Sequence, residues 1–449
     1  MVVITSTQGA LRMTSTRFFT LVFLIAVTAA CTDAAQPTVP EKVHADRVST
    51  FNPAETVDEI QAHHQRVPKD DIWWTVTGEE MGWLHRNAHQ LFPTVNVYRN
   101  GPVRELEYKL MDEIAAYVVD TPQGPMPFSR LLEDDQSTAM GVVILHKGKI
   151  VFESYPRMRE HEKVTYWSTV KVFAGAILRI LEERGEVDIS KPIDAYIPEL
   201  AQSSFAGITI RNILDMASGL DCGDEYEDRA SCYYQYSMAI GDGFRDETAA
   251  DNPYDFFSTA KIDKLAEQGT EFSYSGANTF LLSWLIEEIT GLPYQDVFTR
   301  EFWYHIGAEN DASFIAYRYG IPLAHGGFLS KMRDLARFGL LYTPSYSVVS
   351  DRRIISAAHL EYLLTSHNPD LQFEADGKDG TLVHNASQWG YIDSNGYMSQ
   401  GGWGGQGLIV NSELDLVAVF TSYFKDDYSE VNLSDTMVEV LYGVFGKPE

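Results

Sequence analysis

Two residues in the stretch TYWSTVKVFAG, residues 165–175, are of types that can do chemistry together: Ser168 and Lys171, three positions apart at a predicted helix start. Residues three apart on a helix share a face, so the amine can reach the hydroxyl. A serine hydroxyl is a weak nucleophile until a neighbouring base takes its proton. An amine is that base only where burial or nearby positive charge favours its neutral form. The positive end of a helix N-terminus stabilises negative charge developing beside it, and the serine's own N–H can supply half of an oxyanion hole. The plain alternative is a capping serine and a solvated lysine, and Ser-x-x-Lys alone does not choose between them. Its surroundings favour chemistry, because the pair follows a hairpin pattern and opens a strongly apolar helix that would bury a lysine on its inner face.

Those surroundings are legible as elements. AMGVVILHKGKIVFESYP reads as two β-rich runs turning at Lys147–Gly148. From Ser168 to Glu183, Val170, Ala174, Ile177 and Leu181 recur at helical spacing before Gly185 stops the helix. Residues 186 to about 345 read as mostly helix and loop. They include NTFLLSWLIEEITG, with Leu281, Leu282, Leu285, Ile286 and Ile289 on one apolar face, and MRDLARFGLLY. Strand patterns return in GLIVNSE and LDLVAVFTSY, and LSDTMVEVLYGVFG closes the chain as a helix. Strands at both ends with helices between predict an α+β fold, an α/β sandwich. A mostly antiparallel sheet is flanked by helices and carries a mainly helical inserted subdomain over about 186–345. Folded structure is expected from about Asp71, where aromatics become dense, after a polar, proline-bearing tether over 31–70.

Taken together, several blocks resemble a known family. They are VVILHKGKIVFESY, YWSTVKVFAGAILRILEERGEVDISKPIDAYIPEL, ITIRNILDMASGL, FSYSGANTFLLSWLIEEITGLPYQDVF, HGGFLSKMRDLARFGLLY and GGWGGQGLIVNSELDLVAVFTS. In this order they are similar to the serine β-lactamase and penicillin-binding superfamily, above all its esterase and 6-aminohexanoate-dimer hydrolase branch. The resemblance implies a β-lactamase/transpeptidase-like fold, with Ser168 as the acylated serine, Lys171 as its base and Tyr274 as a proton relay to the leaving group. The family's usual Tyr-x-Asn box is altered. Asn278 follows Tyr274 by four residues and either caps the next helix or meets substrate. At the third box QGGWGG replaces Lys-Thr-Gly, so Gln400 is neutral where relatives carry a cation that grips a carboxylate. Gly401 and Gly402 let an edge strand approach substrate closely, and the N–H of Trp403 is the implied second oxyanion donor. The resemblance implies an exported serine hydrolase acting on a small-molecule amide or ester, with no cofactor and no metal. The alternatives are a catalytically slow penicillin-binding or sensor protein of the same fold, or a D-Ala-D-Ala carboxypeptidase or β-lactamase.

Composition narrows the partners. The 449 residues carry 63 acidic and 35 basic side chains, a net charge of −28, which disfavours nucleic acid and anionic lipid surfaces. FFTLVFLIAVTAAC, preceded by Arg12 and Arg17, has the layout of an export signal, with Cys31 placed as a lipid-bearing residue or near an ordinary cleavage point. Membrane contact is then expected only through that anchor, and the location is the bacterial cell envelope: periplasmic, lipid-anchored or secreted. Export permits a disulfide between Cys222 and Cys232, the alternative being two free thiols. His85 and His89 read as surface histidines without a third metal ligand. Tyr233, Tyr234 and Tyr236 either line a cleft mouth or pack a loop. Nothing in the sequence sets the oligomeric state.

Overall fold

Three strands of the sequence, GVVILH, QGLIVN and LVAVFT, are apolar on both faces, and almost every residue in them is buried. Such runs belong to a sheet covered on both sides. In the computed structural model, which describes residues 55–67, 76–368, 370–371 and 383–446, that is their place. Seven strands run antiparallel: β1 Gly141–His146, β2 Lys149–Ser154, β3 Val383–Ala386, β4 Trp389–Asp393, β5 Tyr397–Gly402, β6 Gln406–Asn411 and β7 Leu416–Thr421. Their spatial order is β2-β1-β7-β6-β5-β4-β3, so the first two strands join a sheet otherwise built more than two hundred residues later. At the β1–β2 turn both Lys147 and Gly148 have positive φ, 52° and 71°, as a two-residue hairpin requires. Alternate strand residues feed two cores. Val143, Leu145, Val417 and Val419 face the larger helical side, whereas Val142, Ile144, Ala418 and Phe420 pack toward the closing helix Leu433–Phe445.

Two expectations change. The helix Val57–Arg66 lies inside the expected tether. His63 stacks on Trp83 at 4.8 Å and bonds Glu80 at 2.6 Å, so among the described residues folded structure reaches back to Val57 rather than starting near Asp71. The interval 186–345 is also not purely helical. Ala312–Ile315 and Phe328–Ser330 pair with each other, and with Thr94–Val97 and Val164–Tyr166 respectively, in a second antiparallel sheet. That sheet has a positional role, because Val164–Tyr166 runs straight into Trp167 and Ser168. The export segment, Cys31 and most of the tether lie outside the described residues. Among the described residues no helix is long and apolar enough to cross a membrane.

Candidate active site

Ser168 opens a single 3-10 turn, Ser168–Val170, and the α-helix proper, α1, runs Lys171–Glu183. The expected helix start at Ser168 therefore moves three residues on, but the spacing still brings the pair together. Lys171 Nζ donates to Ser168 Oγ at 2.9 Å, and the lysine is completely buried. Tyr274 lies across the amine, its ring centroid 4.5 Å from Nζ. Asp224 supplies the counter-charge, with Oδ2 3.7 Å from Nζ. Burial pushes the Asp224 carboxyl up, while the Lys171 charge and the N–H of Gly276 pull it down.

Opposite stands β5. Gln400 Nε2 donates to the Tyr274 hydroxyl at 3.3 Å and to the Gly401 carbonyl at 3.1 Å. Gly402 comes so close that a Cβ there would sit 2.9 Å from Thr169 Oγ1 and 3.3 Å from Ser168 N. Only glycine fits this approach. The strand is not at the sheet edge, as β4 and β3 lie beyond it. Pairing with β4 joins only Met398 and Ser399, however, so its last residues lose that neighbour and face a cleft. The cleft encloses about 490 Å³ and is lined by Ser168, Asp224, Tyr274 and Gln400 between aromatic walls of Tyr226, Phe272, Tyr391, Trp403 and Phe424. A larger depression of about 570 Å³ between Tyr254 and Pro293 holds no nucleophile–base pair.

Asn278 is not part of this group. Ser275 caps the helix α2, Gly276–Thr290, by accepting from the Asn278 N–H. The Asn278 side chain is buried, reaches Met216 Sδ at 3.8 Å and does not line the cleft. Both roles considered for its side chain, cap and substrate contact, are thereby corrected.

Behind Ser168 stand two buried histidines, with Asp242 lining the space beside the second. His85 is fully buried, not on the surface, and accepts from Trp167 Nε1 at 2.9 Å. Its Nδ1 therefore carries the hydrogen and donates to the Ser422 carbonyl at 3.3 Å, with Gln406 Nε2 standing 3.0 Å away. Burial lowers its pKa to about 3. His89, one turn on, is exposed. His325 is held at both nitrogens, by the Tyr233 hydroxyl at 3.2 Å and that of Tyr236 at 3.0 Å. Tyr233 and His325 line a small space beside Ser168, whereas Tyr234 packs against Arg229.

Cys222 and Cys232 form a disulfide across the acidic loop. Of the acids at 221, 224, 225, 227 and 228, only Asp224 lines the cleft. Sequence reasoning missed its contact with Lys171, and missed His85 and His325 as supports. No local pattern marks any of the three, because their partners are tens to hundreds of residues away.

The seven-stranded sheet, with the serine turn packed against β5, defines the beta-lactamase class of serine hydrolases. A family profile described as Beta-lactamase matches residues 127–435, and the chain belongs to that family. It is 28% identical over 352 residues to the 6-aminohexanoate-dimer hydrolase of Paenarthrobacter ureafaciens, covering 77% of this chain and 86% of that one. Among solved structures, one provisionally described as a 6-aminohexanoate-dimer hydrolase from Bacillus anthracis superposes with a TM-score of 0.71 at 24% identity, covering 86% of this chain and 99% of that one. A family VIII carboxylesterase superposes with a TM-score of 0.54 at 15% identity, covering 76% of this chain and all of that one.

Proposed function

We propose that the chain hydrolyses amide or ester bonds through an acyl-enzyme on Ser168. The observation that carries this reading is the 2.9 Å contact between Ser168 Oγ and the amine of a fully buried lysine. Lys171 takes the hydroxyl proton as Oγ bonds to the substrate carbonyl carbon. The developing oxyanion is met by the N–H groups of Ser168 and Trp403, a reading supported by the close approach of Gly402, the residue before Trp403, to Ser168 N. The proton then leaves on the departing nitrogen or oxygen through the Tyr274 hydroxyl, and water hydrolyses the acyl group.

The cleft favours neutral or amine-ended amides and short acyl esters. Its walls are aromatic, Asp224 is the one carboxylate among the described residues lining it, and its third box offers the neutral Gln400. Among those lining residues a substrate carboxylate finds no cation. The missing charge-assisted hydrogen bond, about 1.5–3 kcal/mol, lowers β-lactam turnover roughly ten- to a hundredfold. The segment ending at Cys31 supports action outside the cytoplasm. The test is a fluorophosphonate probe: it labels Ser168 in the wild type, and Ser168→Ala loses both labelling and hydrolysis. Equal labelling of the variant overturns the proposal, and efficient cephalosporin hydrolysis by the wild type overturns the substrate assignment.

A further inference from the structure

Resting on the acyl-enzyme reading above, we propose that Asp224 is a further catalytic residue, whose carboxylate takes the proton from the water that hydrolyses the Ser168 acyl-enzyme. Its position is fixed more firmly than a counter-ion needs. Asp224 Oδ1 accepts from the Gly276 N–H at 2.5 Å, at the positive end of α2. Its backbone N–H donates to the Tyr274 carbonyl at 3.1 Å. Two residues earlier the Cys222 carbonyl accepts from Ser275 Oγ at 2.5 Å, and the disulfide holds the same loop to Cys232. The loop is thus stitched to the segment that carries Tyr274.

The oxygen turned toward the amine is Oδ2. It accepts from the Tyr226 hydroxyl at 3.3 Å and stands 3.7 Å from Lys171 Nζ, too far for a direct hydrogen bond. Oδ2 and Ser168 Oγ flank the same amine and line the same cleft. At 2.9 and 3.7 Å from the same Nζ, the two oxygens are no more than 6.6 Å apart. A second carboxylate, Asp242, lines the small space on the other side of Ser168 with Tyr233 and His325, but of the two only Asp224 lines the cleft with Tyr274 and Gln400. Both nitrogens of His325 face tyrosine hydroxyls. Burial strengthens Asp224 as a base relative to an exposed carboxylate.

The protons balance if Lys171 and Asp224 share one between them. At rest it sits on Lys171, as the ion pair; for acylation it moves to Asp224, and the neutral amine takes the Ser168 proton and passes it to the leaving group. Once the leaving group has gone, the shared proton moves to Lys171 and Asp224 is ionised. Water then loses a proton to Oδ2 as its oxygen bonds to the acyl carbon. The C–Oγ bond breaks, Oγ takes a proton from Lys171, and the enzyme returns with Lys171 neutral and Asp224 protonated.

Asp224→Asn keeps the side-chain shape and an acceptor for Gly276 N–H. With p-nitrophenyl butyrate it is expected to release one p-nitrophenolate per enzyme in a burst, then turn over about a hundredfold or more slowly, within the usual span for a lost general base. Intact-mass measurement should find the butyryl group retained on Ser168. Hydroxylamine, a nucleophile that needs no base, should restore turnover. If Asp224→Asn does not fold, Asp224→Glu and Asp224→Gln carry the same comparison, with only the Gln form accumulating acyl-enzyme. Wild-type turnover by the neutral variant, or a burst and steady rate that fall together without retained acyl group, overturns the assignment. A wild type that acylates on no residue instead removes the underlying reading.

Discussion

Two sets of buried polar side chains flank Ser168, and they differ in charge. Toward the cleft, Lys171 and Asp224 form an ion pair at 3.7 Å, with the Tyr274 ring and Gln400 over it. Toward the interior, Trp167, His85 and the Ser422 carbonyl on one side, and Tyr233, His325 and Tyr236 on the other, form hydrogen-bonded groups whose own side chains are neutral, with Asp242 lining the space beside the second. A buried hydrogen-bonded neutral group mainly keeps shape, because leaving any member unpaired costs about 1–3 kcal/mol. A buried ion pair is poor evidence of stability, since desolvation offsets its attraction. On the proposed mechanism, the side chains that exchange protons and those that hold geometry therefore stand on different walls.

The separation can be broken by mutation. The largest effect is expected from Lys171→Met, which keeps the length and burial of the side chain but removes the base. Ester hydrolysis should fall by about a thousandfold or more, measured at saturating substrate on protein shown to be folded by circular dichroism. Next in size is Gln400→Lys, which puts a cation where Nε2 now meets the Tyr274 hydroxyl. The ratio of kcat/KM for carboxylate-bearing over neutral substrates should rise roughly ten- to a hundredfold. An unchanged ratio would mean that β5 does not read that end of the substrate.

The smallest catalytic effect belongs to the neutral wall. His85→Leu leaves the Trp167 N–H without its acceptor and should cost about 1–3 kcal/mol of stability at pH 7, with kcat of the folded protein changed less than tenfold. The pH dependence identifies the cause. His85 titrates near 3 in the fold, because burial disfavours its charged form, and near 6.5 in an unfolded chain. Between these values the unfolded state binds the extra proton, so the contribution is complete above pH 6.5 and is lost as pH falls toward 3. The slope is about 1.4 kcal/mol per pH unit. Denaturant melts should show the gap between wild type and variant shrinking by about 2 kcal/mol between pH 7 and pH 5. If His85→Leu silences catalysis as fully as Lys171→Met, the two walls do not divide as described.

Much of this site was legible because its signals are local. Ser168 and Lys171 sit one turn apart, the Lys147–Gly148 hairpin carries its own turn residues, and the helices around 276–290, 332–340 and 433–445 show apolar periodicity. The errors came where the deciding partner is remote. His85 looks like a surface histidine in WLHRNAHQ until Trp167, Gln406 and Ser422 close over it. The strand of Gln400 looks like a sheet edge because β4 and β3 are short, and β4 pairs with it over two residues. Asn278 was a local misreading: Ser275, three residues earlier, is the better cap. Asp224 is one of five acids in its loop, and only the stitching to residues 274–276 distinguishes it.

The order of strands in the sheet also bears on biosynthesis. β1 pairs with β7, and Gly402, which packs against the Ser168 turn, is translated more than two hundred residues after Ser168. At about 5–20 residues per second, a ribosome keeps Ser168 waiting roughly ten to fifty seconds for β5. Throughout that interval the hairpin of β1 and β2, whose inner strand reads GVVIL, has an open edge on the side β7 will occupy. The nascent chain is then without the strand that flanks its nucleophile and is at its most prone to aggregate, so demand for chaperones should peak before the last third of the chain emerges and fall once β7 docks.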